Sequence, residues 1–84
     1  MSSRRRRAVG SFHSSRYRRF LKLLKEARVA AGMTQVQVAA AMGRPQSFVA
    51  KCESGERRVD VVELEQFAKL YGRLLSGFLP PQRD

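Results

Sequence analysis

The stretch MTQVQVAAAMGRPQSFVAKCESG, residues 33–55, has the pattern of two short helices bent around Gly43. Thr34, with Gln37 three residues later, makes a capping-box start for the first of them. Val38, Ala39 and Met42 supply its buried side, while Gln35 and Gln37 face outward. Three consecutive alanines, Ala39 to Ala41, favour helix and allow a second helix to approach closely. Gly43 permits the positive φ of a tight turn. Pro45, with its fixed φ and missing N–H, is expected in the first turn of the second helix. That helix runs to about Ser54, with Val49 and Cys52 inward and Gly55 closing it. Its outer face carries Gln46, Ser47, Lys51 and Ser54. Amide and ammonium groups there suit a helix laid against base edges in a DNA major groove, where they can pair with purine donors and acceptors.

Working outward, an amphipathic helix precedes this stretch. Tyr17, Phe20, Leu21, Leu24, Ala27 or Arg28, and Ala31 recur at three- and four-residue steps from Arg16 onward, with Gly32 at the end. After a charged connector, ERRVD, Asp60 and Glu63 form a second capping box. Leu64, Phe67, Ala68 and Tyr71 make the apolar face of that fourth helix, and Gly72 interrupts it. Leu74, Leu75, Phe78 and Leu79 then cluster before Pro80 and Pro81 stop any further helix. No strand alternation, internal repeat or hairpin signal occurs, so the expected class is all-α.

Composition sets the limits. An 84-residue chain buries only a thin core, which favours compact helices with short loops. No apolar run approaches the ~20 residues a membrane crossing requires. Residues 1–25 hold nine of the seventeen basic side chains and no acid, and the remainder holds eight basic against seven acidic. The net charge of +10 is therefore concentrated in residues 1–25, of which 1–15 are rich in Arg and Ser and lack apolar periodicity. Residues 1–15 read as a disordered arm, whose usual partner is nucleic acid, with an anionic membrane surface second. Cys52 is the sole cysteine, so no intramolecular disulfide forms, consistent with a reducing compartment. AVGSFHSS after the arginine run lacks the apolar segment of a secretory signal, and a transit peptide is disfavoured because the basic stretch runs into a domain helix. His13 has no ligand-type neighbour and reads as a solvated tail residue. With no carboxylate pair, metal-ligand cluster or phosphate-binding glycine loop, neither enzymatic activity nor a cofactor is expected.

Over residues 23–71 the chain resembles the lambda repressor/Cro-like, or XRE, helix-turn-helix family. The residues that carry the likeness are Arg28, GMTQ at 32–35, Ala39, Gly43, QSFV at 46–49 and KCESG at 51–55, followed by Arg57 and Arg58. The resemblance implies a compact four- to five-helix bundle, lambda-repressor-like, with the helix-turn-helix as helices 2 and 3. The chain as a whole is expected to divide into the arm (1–15), a DNA-binding domain (16–79) and a short tail (80–84). The resemblance places Gln46, Ser47 and Lys51 at base-facing positions, with Phe48 set to touch a thymine methyl. Ser47 suits base, phosphate or solvent equally, and Lys51 suits guanine or the flanking phosphate. Gln35 is implied to contact phosphate while bracing the third helix. Arg28 and Glu53 are implied to form a structural salt bridge. Pro45 departs from the family's usual Ser or Thr cap, and Cys52 is smaller than the usual residue there.

Arg57 and Arg58 are expected on backbone phosphate, with Arg44 and Ser54 as weaker candidates. Arg4, Arg5, Arg6 and Arg7 are expected to follow phosphates or enter a minor groove, where narrow A·T tracts attract arginine. Leu74, Leu75, Phe78 and Leu79 either complete the monomer core or form a two-fold contact, and the homodimer is the favoured reading. The expected function is a sequence-specific regulator of transcription, a repressor occupying an operator on double-stranded DNA in the bacterial or phage cytoplasm. One alternative is a DNA-binding antitoxin, with an unidentified protein partner held by the arm. Another is a non-specific nucleic-acid or protein-interaction module working through the arm alone. A membrane-surface peptide gives no reason for the capped, glycine-punctuated helices.

Overall fold

The computed structural model describes residues 14–80, all of them in helices and their connections, with no strand among the described residues. Helix α1 spans Ser15–Ala30, α2 Gln35–Met42, α3 Gln46–Ser54 and α4 Val61–Tyr71, and a 3-10 turn covers Leu75–Phe78. The expected all-helical bundle is present, with that turn in place of a fifth α-helix.

Three of the four helices begin where a short polar side chain takes up an orphan N–H. Ser14 Oγ accepts from the Tyr17 N–H at 3.1 Å, so α1 starts one residue before Arg16 and its cap lies inside the stretch expected as arm. At α2 the capping box is complete: Gln37 N–H donates to Thr34 Oγ1 at 3.1 Å, and Thr34 N–H to Gln37 Oε1 at 2.9 Å. At α4 Glu63 N–H donates to Asp60 Oδ1 at 2.7 Å and Asp60 N–H to Glu63 Oε1 at 3.1 Å. Only α3 lacks a side-chain cap. Pro45, expected in its first turn, instead occupies the N-cap position with extended backbone (φ −64°, ψ 153°), and Gln46 opens the helix.

The α2–α3 turn is closed by Arg44 N–H donating to Ala39 C=O at 2.9 Å. Gly43 sits there at φ +67°, and a Cβ on it would meet nothing within 4 Å. Its backbone conformation, not crowding, is what calls for glycine.

Leu24, Val38, Val49, Cys52, Phe67 and Phe78 are fully buried at the centre, one or more from every helix and one from the terminal turn. Each large apolar side chain there contributes about 2 kcal/mol from burial. Phe67 stacks on Phe48 (centroids 6.1 Å apart) and on Tyr71 (6.0 Å), linking α3 to α4. Tyr17 Oη accepts the Val59 N–H at 3.0 Å, pinning the start of α1 to the loop before α4. Pro80, expected to begin the tail, is buried, and its carbonyl accepts from Arg16 Nη2 at 3.4 Å.

Candidate nucleic-acid interface

Helix α3 has two unlike sides. Phe48, Val49 and Cys52 are buried, whereas Gln46, Ser47 and Lys51 are exposed. Ser47 and Lys51 stand one turn apart on the same row, with Gln46 beside them at the N-terminal end. Because Pro45 brings no side-chain cap, the first N–H groups of α3 and the positive end of its dipole emerge at the same surface. The face thus presents an amide, a hydroxyl, an ammonium and backbone donors together.

Two ion-pair systems, each built on a buried carboxylate, hold that face in place. In the first, Arg28 Nε donates to Glu53 Oε2 at 2.7 Å and Arg28 Nη2 to Glu53 Oε1 at 3.1 Å, a forked pair whose side chains are 12% and 5% exposed. Arg28 Nη1 also donates to Met33 C=O at 2.9 Å, and Gln35 Nε2 donates to Glu53 Oε1 at 3.1 Å. One carboxylate therefore ties α1, the α1–α2 loop and α2 to the last turn of α3. The hydrogen bond to Glu53 holds the Arg28 guanidinium above its usual pKa, against the burial that lowers it. Gln35, expected to face outward, is half-buried and turned onto α3 by this bond.

The second system centres on Glu63. Arg57 Nη1 and Nη2 donate to its two oxygens at 2.8 and 2.9 Å, and Arg44 Nη2 reaches Oε2 at 3.3 Å. Both guanidiniums also lie over the Phe48 ring, 4.1 Å (Arg44) and 4.8 Å (Arg57) from its centroid. Glu63 is 5% exposed. The hydrogen bonds from Arg57 hold its carboxyl below the usual carboxylate range, outweighing the burial that pushes it up.

Several expectations change on this geometry. Phe48 cannot reach a thymine methyl from its observed position, because it is buried between Phe67 and the two guanidiniums. Two residues on from Gln46 is roughly 200° around a helix, which turns an apolar side chain there toward the core. Arg44 and Arg57, expected on phosphate, are engaged by Glu63. Ser54 spends its hydroxyl proton on Lys51 C=O at 3.2 Å and accepts the Glu56 N–H at 3.3 Å, so it has no donor left for phosphate. Arg58 is exposed, with its guanidinium 4.3 Å over the Tyr17 ring. Phe78 completes the monomer core and is unavailable to a partner, whereas Leu74, Leu75 and Leu79 are 78%, 42% and 60% exposed. Arg4, Arg5, Arg6, Arg7 and His13 lie outside the described residues.

Sequence reasoning missed Glu63 as a hub, since its capping-box role already accounted for it. It also missed Tyr71, whose hydroxyl is buried without a hydrogen-bond partner among the described residues, with burial pushing its pKa well up. Burial likewise pushes the Cys52 thiol up, as befits a packed rather than reactive cysteine. No group of three or more His, Cys, Asp or Glu that could hold a metal occurs among the described residues. No described helix is long and apolar enough to cross a membrane.

Known proteins place this arrangement. Residues 16–76 match the model of a family described as a helix-turn-helix domain. A solved XRE-family like protein from Pseudomonas syringae pv. tomato str. DC3000 is 48% identical, with a TM-score of 0.73 over 82% of this chain and 84% of that one. Among curated proteins none matches.

Proposed function

The chain belongs to the helix-turn-helix domain family of XRE type, a DNA-binding family, and from that premise we propose that it is a sequence-specific regulator of transcription. In this reading α3 lies in the major groove of double-stranded DNA and the protein acts by occupying an operator. One observation carries it: Gln46, Ser47 and Lys51 share an exposed face while the reverse side of the same helix is packed and braced by Glu53. Rigid presentation of a few base-reading groups is what direct readout requires.

Gln46 takes adenine through its paired donor and acceptor, and Lys51 takes guanine or the neighbouring phosphate. Gln35 has a second amide proton beyond the one given to Glu53, and this goes to phosphate, as does Arg58. The arm at Arg4, Arg5, Arg6 and Arg7 follows the backbone or a narrow minor groove. Leu74, Leu75 and Leu79 form the contact of a homodimer, which sets two α3 helices about one helical turn (~34 Å) apart on a palindrome.

Selection of bound duplexes from a random pool tests the reading. A single enriched site should bind at least ~1,000-fold tighter than random duplex at matched salt. Gln46→Ala should alter preference at one or two base pairs of that site. Equal affinity for every duplex would refute sequence-specific regulation and leave a non-specific module working through the arm.

A further inference from the structure

The Glu63 cluster lies directly behind α3, yet holds two arginines that the reading above leaves without a task. Arg44 comes from the α2–α3 turn and Arg57 from the loop after α3, so the pair flanks the reading helix at both ends. Each guanidinium side chain is 40% exposed, whereas the Glu63 side chain is 7% exposed. The carboxylate cannot follow the arginines outward, because its own Oε1 also accepts the Asp60 N–H that starts α4. Protons not given to Glu63 remain on both guanidiniums, but for either one to extend away from the domain toward a phosphate a charge-assisted bond must break. If both leave, a carboxylate stays buried without a counter-charge.

We propose that Glu63 withholds Arg44 and Arg57 from the DNA backbone and so limits sequence-independent binding. The proposal rests on the DNA-binding reading and adds to it a device against wrong sites. Affinity for backbone phosphate is common to all sequences and grows with every cation that reaches it. Two arginines beside the reading face would add to binding everywhere, holding the chain on duplex where Gln46 and its neighbours find no partner. Paired to Glu63 and laid on Phe48, they stiffen the face instead of extending its grip.

The experiment measures binding of the full chain to a random duplex and to its selected site across a salt series. Glu63→Gln keeps an amide oxygen able to accept the Asp60 N–H, so the α4 cap survives while the charge that holds the arginines is removed. This variant should bind random duplex roughly 10-fold tighter, with the salt slope steeper by about 1 to 2 units, and its affinity for the selected site should rise by a similar factor. An unchanged slope and affinity in a folded Glu63→Gln protein would overturn the proposal. Arg57→Gln provides a test that does not depend on that variant folding. In the otherwise unaltered chain it should leave the random-duplex slope where it was, and a slope flatter by about 1 unit would mean Arg57 already meets phosphate and would equally overturn it. Failure of the underlying reading looks different: the unaltered chain would then show no preferred duplex at all.

Discussion

The Arg28–Glu53 pair permits a quantitative prediction, because its surroundings define what each substitution leaves behind. Glu53→Leu keeps apolar volume at the end of α3 but strands a guanidinium 12% exposed, with Met33 C=O as its remaining hydrogen-bond partner. Breaking one side of a buried pair costs about 3 to 5 kcal/mol, and the surviving carbonyl places this case near about 3 kcal/mol. Arg28→Met strands the Glu53 carboxylate with the Gln35 amide as its remaining donor, at a similar cost. A domain of this size has about 4 to 10 kcal/mol of total stability, so either change consumes much of it. The melting temperature should fall by roughly 12 to 24 °C. The double variant leaves no charge unpaired and should recover to within about 1 kcal/mol of the unaltered protein, the residue of the loss being the bond to Met33 C=O. Urea and thermal unfolding followed by far-ultraviolet circular dichroism provide the full double-mutant cycle. Single changes costing under about 1 kcal/mol, or a double variant as unstable as the two singles added, would refute the view that this pair is a buried, mutually dependent unit.

Other consequences follow from the same geometry. Tyr71→Phe removes a buried hydroxyl that has no partner, and should raise stability by about 1 kcal/mol in urea unfolding; a loss instead would mean the hydroxyl is satisfied in solution. The Glu63 carboxyl titrates below its ordinary value when folded, so its stabilisation is complete above that value and drains away as the pH falls through the lowered one. Melting temperatures of the unaltered chain should therefore drop more steeply than those of Glu63→Gln below about pH 4.3, the two curves converging in acid; parallel curves would contradict this. Leu74→Asp combined with Leu79→Asp alters two exposed side chains, so the monomer fold should survive while the proposed dimer dissociates in sedimentation experiments. An unchanged mass would remove that contact from the proposal.

Most helix ends were legible because a cap is a local event. Thr34 with Gln37 and Asp60 with Glu63 satisfy donors three residues away, and Gly43 meets a φ demand of its own backbone. The α1 stripe was legible for the same reason, since Phe20, Leu21, Leu24 and Ala27 recur with the period of the helix that buries them. Pro45 was placed one position too far inside α3, where both assignments suit its fixed φ and only the extended ψ tells them apart.

The proposed reading face was only partly legible. Gln46, Ser47 and Lys51 are exposed as their positions suggested, but Phe48 belongs to the other side, and Arg44 and Arg57, expected on phosphate, are tied to Glu63. Local chemistry dictated how many helices form, where most of them stop and which stripe of each is apolar, because those effects act within four residues along the chain. Which polar groups stay free for a partner was settled by packing alone. Glu63 meets Arg44 across 19 residues and Arg57 across 6, in no periodic pattern that pairs them, whereas the Arg28–Glu53 pair, 25 residues apart, was implied by the family resemblance and by no local pattern.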